Sequence, residues 1–279
     1  MRPLSHWPLN TTKSFCGILT DIDDTLTTEG AITQDALDAL ATLRAAGLRV
    51  IAITGRPAGW SAPFAASWPV DAIVAETGAV ALLRAPENSD QIGLQTNPDK
   101  RQQLSKWYLQ DAPTRSANFA RMQQVARQIL EEVPGAQLAR DSAGRETDIA
   151  IDHSEFTRLP QAAIDEVVRI MRSEGMTATV SSIHINGWYG GHSKLSGARW
   201  IVRELLGREL DAELDRWVYV GDSTNDVLMF EHFPHSVGVA NIRRFESQLT
   251  HPPRYITPGE RGAGFAQLAQ AILQSQKSR

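Results

Sequence analysis

Only one cysteine, Cys16, occurs in the 279 residues, so no disulfide can form within the chain and a reducing, cytoplasmic compartment is expected. Cys16 lies inside an apolar run, and packing accounts for it, because a reactive thiol needs exposure and cationic neighbours. No apolar run is long enough to cross a membrane. The opening Met1-Arg2-Pro3-Leu4-Ser5-His6-Trp7-Pro8 lacks the apolar centre of a signal peptide. A net charge of −4 without a long basic run leaves no electrostatic footprint for nucleic acid. No Gly-x-Gly-x-x-Gly follows the first predicted strand, which excludes the dinucleotide fingerprint, and there is no internal repeat or low-complexity tract. Hydrophobic residues at 42% and charged residues at 22% exclude disorder. The length leaves room for two compact domains.

What is present begins with Phe15-Cys16-Gly17-Ile18-Leu19, an apolar run closed by Thr20 and followed by Asp21-Ile22-Asp23-Asp24-Thr25-Leu26-Thr27. It reads as a buried parallel strand with carboxylates at its carboxyl end, where open α/β sheets bind ligands. Crowded carboxylates imply a divalent cation, a raised pKa, or both; an acidic loop capping a helix is the plainer alternative. Arg49-Val50-Ile51-Ala52-Ile53 is a second such strand, ending in Thr54-Gly55-Arg56-Pro57, whose hydroxyl, glycine and amides suit a phosphate oxygen. Trp217-Val218-Tyr219-Val220 is a third, followed by Gly221-Asp222-Ser223-Thr224-Asn225-Asp226. Between them Lys194 opens an amphipathic stretch to Leu206. Singly, Thr54 could be a turn residue, Lys194 a solvated lysine, and Asp222 and Asp226 helix-start acids. Their joint order at strand ends is hard to reach by accident.

This ordered set resembles the haloacid dehalogenase (HAD) superfamily of aspartate-nucleophile phosphohydrolases: Asp21/Asp23/Thr25, then Thr54, then Lys194, then Gly221-Asp222-Ser223-Thr224-Asn225-Asp226. The match touches both ends of the chain and leaves roughly the middle third as an insertion. The first and last motifs are specific; Thr54 and Lys194 count by position. The resemblance implies an α/β fold, a Rossmann-like parallel-sheet core with an inserted α+β cap of the C2 type. It implies that Asp21 is the nucleophile that forms an aspartyl-phosphate and that Asp23 is the general acid and base. Mg2+ would be held by Asp21, Asp222 and the backbone carbonyl of Asp23. Thr54, Gly55, Lys194 and Asn225 would bind phosphoryl oxygens, Asp226 would orient Lys194 or a metal-bound water, and Thr25 and Asp24 would shape the loop.

Along the chain, a first helix capped by Thr33 and stopped by Gly47 joins the first two strands, and Asp71 to Ala75 is a third. Its end, Glu76-Thr77-Gly78-Ala79, departs from the Asn-Gly-Ala common in the capped branch of the family. After Lys194 the pattern predicts a helix to Leu206, a short helix from Thr224 to about Glu231, a strand Ser236–Ala240, a helix capped by Asn241, an edge strand at Tyr255-Ile256 and a last helix over 262–274. In the interval from about Pro86 to Gly190, helices are predicted at 102–109, 119–132 and 159–174, and strands at 136–139, 147–151, 177–181 and 184–188. That gives a core of residues 1–85 and 191–279 with an insertion at 86–190. Its αββ-like order resembles the C2B cap of Cof-type, sucrose-phosphatase-like and mannosyl-phosphoglycerate-phosphatase-like members.

Within the insertion His184, Asn186 and Trp188 alternate along one strand and share a face. They suit hydrogen bonding to and stacking on a sugar, or else Trp188 packs the cap core. Arg145, Glu146 and Asp148 could line a pocket, though ordinary surface charge is the preferred reading, and His232, His235 and His251 read as surface histidines. The expected activity is Mg2+-dependent hydrolysis of a small phosphorylated metabolite of the sugar phosphate type, through an aspartyl-phosphate intermediate. A phosphomutase of the same fold, or a phosphate-binding module without catalysis, are the alternatives. The sequence sets no oligomeric state.

Overall fold

The computed structural model describes residues 1–7, 14–84 and 104–277. Its larger unit is a nine-stranded sheet of β1 (Arg2–Pro3), β2 (Gly17–Thr20), β5 (Arg49–Ile53), β6 (Ala72–Ala75), β7 (Val80–Arg84), β8 (Leu104–Tyr108), β13 (Trp217–Gly221), β14 (His235–Gly238) and β15 (Tyr255–Ile256), in the order β1-β15-β14-β13-β2-β5-β6-β7-β8. All neighbours are parallel from β1 to β6, and β7 and β8 run antiparallel. From β2 the chain moves to β5 and β6 on one side, then returns to β13 and β14 on the other. The topological switch therefore lies between β2 and β13, and ligands of such sheets bind outside the carboxyl ends there. A small hairpin, β3 (Thr27–Thr28) with β4 (Ala31–Ile32), follows the acidic motif.

Strand alternation builds two cores. Ile18, Val50 and Val218 face one side, with α1 (Gln34–Ala45) and α7 (Arg261–Lys277); Leu19, Ile51 and Tyr219 face the other, with α5 (Lys194–Leu206) and α6 (Val227–His232). Nearly every inward side chain is fully buried, which is why these strands read as continuous apolar runs. Helix α2 (Ala58–Ser67) covers β6 and β7.

The smaller unit is a four-stranded antiparallel sheet, β11-β12-β10-β9, of β9 (Gln137–Leu138), β10 (Ile149–Asp152), β11 (Thr177–Val180) and β12 (His184–Trp188). Helices α3 (Ala112–Glu132) and α4 (Gln161–Ser173) pack on one face through Met122, Val125, Ile129, Val167 and Ile170. The α/β core with an α+β insertion is thus as expected. None of the described helices is long and apolar enough to cross a membrane.

Four local expectations are corrected. Residues 104–108 form a strand of the large sheet where a helix was expected at 102–109. Leu104, Trp107 and Tyr108 satisfy helical spacing, but a five-residue segment is too short for periodicity to decide, and pairing with β7 decides it. The segment 86–100 and the start of that expected helix lie outside the described residues. Thr33 stands at the N-cap of α1, yet its hydroxyl makes no capping bond. Tyr255–Ile256 is not the sheet edge, because β1 pairs outside it. Ala240–Gln248 is a 3-10 helix preceded by Val239, so Asn241 does not cap it.

Candidate active site

Asp21 follows β2 at the switch point, its amide donating to the Val220 carbonyl at 2.9 Å and thus tied to β13. The chain turns immediately: the amides of Thr25, Leu26 and Thr27 all donate to the Ile22 carbonyl, with Asp24 at φ 53°. The carbonyl of Asp24 accepts from Asn241 Nδ2 at 3.0 Å. Asp222 follows β13, and its carboxylate accepts from Asn241 Nδ2 at 3.1 Å and from the Thr25 hydroxyl at 3.5 Å. Asn241 therefore braces both acidic turns. Sequence reasoning singled it out for a helix cap, since nothing local reveals a partner at Asp24.

Lys194 is the first residue of α5. Ser193 caps that helix through the Ser196 amide at 3.2 Å, with the reciprocal bond back. The helix start is pressed against the turn after β6, where a Cβ on Gly78 would lie 2.3 Å from the Ser193 carbonyl oxygen. Only glycine allows that approach, at φ +105°. The ammonium of Lys194 then reaches Asp21 Oδ1 at 2.8 Å, Asp226 Oδ1 at 2.7 Å and Asn225 Oδ1 at 3.2 Å. Asp226 is further held by the Tyr219 hydroxyl and by the amides of Asp222 at 3.0 Å and Ser223 at 3.2 Å. A Cβ on Gly221 would meet Asp226 Oδ2 at 2.3 Å, so the glycine makes room for that carboxylate.

Asp21, Asp222 and Asp226 are all buried, and an oxygen from each lies within 4.8 Å of the others. Against these three carboxylates stands one ammonium, Lys194. Burial pushes Asp21 up to about 7, with Lys194 pulling the other way and Asp226 adding to the rise. Burial and the same crowding hold Asp222 well above the carboxylate range. Burial also opposes the Lys194 charge, but Asp21 and Asp226 outweigh it and raise its pKa. An all-oxygen set with excess negative charge is what a hard divalent cation requires. Each oxygen of Asp226 already accepts two bonds, whereas each oxygen of Asp222 accepts one, so Asp21 and Asp222 are the carboxylates with lone pairs left for such an ion.

On the other side of Asp21, Thr54 is fully buried after β5, and its hydroxyl accepts the Arg56 amide at 3.0 Å. Gly55 presents its carbonyl to Arg145 at 2.9 Å and to Asn186 at 3.1 Å. Arg56, to which no local sequence pattern gives a role, is 5% exposed and donates through Nε to both oxygens of Asp23 at 3.0 Å.

The smaller unit closes over this group. A small cavity, with room for about one water molecule, lies between Asp21, Asp23, Arg56 and Asn225 below and Ser181–His184 and Asn186 above. His184 and Asn186 face it together, as their alternation predicts. Trp188 does not: it is 1% exposed within the smaller unit's apolar core, donates its indole N–H to the His192 carbonyl at 3.1 Å, and stacks on that ring at 5.3 Å. Shared parity along a strand sets the face but not the surroundings at the strand's end. The surface reading of Arg145 and Asp148 is corrected too. Both are buried and paired at 2.8 Å, Asp148 also accepting from Asn186 at 2.9 Å. Glu76, fully buried and next to the Thr77 departure, accepts the amide of Ala58 from the larger unit and those of Glu146 and Thr147 from the smaller one.

A model of the haloacid dehalogenase-like hydrolases matches residues 18–245. A search of curated proteins found no match. Among solved structures, Thermoplasma acidophilum 0175 superposes with a TM-score of 0.66 at 15% identity, over 94% of this chain and 100% of that one. The sucrose-phosphatase of Synechocystis sp. PCC6803, in complex with sucrose and phosphate, gives 0.62 at 14% identity over 93% and 98%. The HAD subclass IIB sugar phosphatase BT4131 gives 0.58 at 13% over 94% and 98%. At these identities the likeness is one of fold, while the sequence match spans Asp21 through Asp226; the chain belongs to the haloacid dehalogenase-like hydrolases.

Proposed function

We propose that this protein is a Mg2+-dependent phosphomonoesterase that hydrolyses a small phosphorylated metabolite of the sugar phosphate type in the cytoplasm. The observation that carries the reading is the buried contact of Lys194 with Asp21 and Asp226 beside Asp222. It brings carboxylates and one ammonium together at one strand-end site, which supports reading them as nucleophile, fixed cation and metal-binding group. The names of two structural neighbours, a sucrose-phosphatase and a sugar phosphatase, support the substrate class.

Asp21 attacks phosphorus in line, and the bond to the leaving oxygen breaks as that oxygen takes a proton from Asp23. Water then attacks the aspartyl-phosphate, Asp23 takes a proton from it, and inorganic phosphate leaves with Asp21 restored. Lys194, Thr54, Asn225 and the Gly55 turn hold the phosphoryl oxygens. Asp21, Asp222 and the Asp23 carbonyl would hold Mg2+, which supplies charge neutralisation at the transferring group. Thr25 and Asn241 fix Asp222, and Asp226 fixes Lys194. His184 and Asn186 are the cap groups that meet the leaving sugar.

A panel of sugar phosphates assayed for phosphate release with Mg2+ tests this, with Asp21→Asn as control. Release from at least one sugar phosphate, abolished in Asp21→Asn, is the expected result. No release from any ester, or near wild-type release by Asp21→Asn, would refute it.

A further inference from the structure

Asp23 reaches the protein through one side chain: among the described residues its carboxylate has no side-chain partner but Arg56. The guanidinium of Arg56 is in turn shared between the two units. Nη2 donates to Glu155 Oε1 at 2.7 Å, and Nη1 donates to Asp141 Oδ2 at 3.1 Å and Glu155 Oε2 at 3.4 Å. Both carboxylates belong to the smaller unit, and the ring of Trp60 lies 4.9 Å from the guanidinium carbon. Glu155 is fixed as well: Oε2 meets His184 Nε2 at 2.8 Å, and Asp152 accepts the Glu155 amide at 2.9 Å. Burial raises the Glu155 carboxyl, but the hydrogen bonds from His184 and Arg56 outweigh it and hold it at about 2. A continuous line of charge-assisted contacts thus runs from the cavity-lining His184 through Glu155 and Arg56 to Asp23.

Resting on the phosphatase reading above, we propose that Glu155 is a positioning residue for proton transfer. By holding the planar fork of Arg56 from the smaller unit, it sets where the Asp23 carboxyl points, so that the leaving oxygen is protonated when the two units are docked. Arg56 has five N–H donors in a rigid plane. With one end fixed on Glu155 and Asp141, the Nε edge can present to Asp23 in only one orientation, and misplacement of a reacting group by an ångström is costly. Glu155 touches neither Asp21 nor Lys194 among the described contacts, so its loss leaves the phosphorus-side groups in place.

Leaving-group dependence reads this role separately from structural damage. p-Nitrophenolate departs without a proton, whereas phenolate, of nearly the same size, gains from one. The loss in kcat on Glu155→Ala is expected to be at least fivefold larger for phenyl phosphate than for p-nitrophenyl phosphate, with KM for each changed less than kcat. Arg56→Lys, which keeps the charge but loses the fork, should show the same selectivity and serves if Glu155→Ala melts early. Equal losses on both esters, or no loss on either, would overturn the positioning role while leaving the phosphatase reading intact. Failure of the wild type to hydrolyse either ester would overturn both.

Discussion

His192 offers a quantitative test of the packing around Trp188. It is 4% exposed and stacked on Trp188, and among the described residues neither ring nitrogen has a hydrogen-bond partner. Burial lowers its pKa from 6.5 to about 4. Between those values the unfolded chain binds a proton that the folded chain refuses, so stability must fall as pH falls through that window. At pH 5 the loss relative to pH 8 is about 2 kcal/mol from this one group. For a chain of this size that corresponds to roughly 3–4 °C in Tm. His192→Phe keeps the stack on Trp188 and the backbone carbonyl that accepts its N–H, and removes the titration. Asp21 and Asp148, both lifted to about 7 by burial, act with the opposite sign: the folded chain keeps their protons, so they stabilise as pH falls from 7 towards 3.8. They are present in both proteins and cancel in the comparison. Melting curves of wild type and His192→Phe at pH 8 and pH 5 should therefore show the wild type losing about 3–4 °C more between the two conditions. Equal losses would show that His192 is protonated at little cost in the fold, and would refute the burial argument.

Two further expectations follow from the same geometry. Trp188→Ala should cost about 3–5 kcal/mol by opening a void in the smaller unit, lowering Tm and slowing hydrolysis of every ester together; a change of ester preference at unchanged Tm would return Trp188 to the substrate. Excess chelator should stop phosphate release and Mg2+ should restore it, while Ca2+, larger and loosely coordinated, should restore little; full activity in chelator would remove the metal role of Asp21 and Asp222.

The groups around Asp21 were legible because local rules place each of them. Continuous apolar runs mark β2, β5 and β13, and the acids and Thr54 stand at their ends; β5, α5 and β12 begin and end where the pattern sets them. Asn241, Glu155 and Arg56 were not legible in their roles. Asn241 braces Asp24 from 217 positions away, and Glu155 meets Arg56 across 99. No periodicity or cap signal encodes a contact between such distant segments, whether within the larger unit, as for Asn241, or across the two units, as for Glu155.

What the sequence determined by itself was therefore the chemistry: two acidic turns, a lysine opening a helix and a hydroxyl after a strand, in an order that only a parallel sheet brings to one edge. What tertiary structure decided was environment. Arg145 and Asp148, ordinary surface charges by composition, are buried against Gly55 and Asn186, and Trp188, open by sequence to either a sugar or the cap core, packs in the core. The physical reason is that burial of a charged or aromatic side chain depends on what packs against it from distant parts of the chain. Strand alternation fixes only which way the side chain starts out.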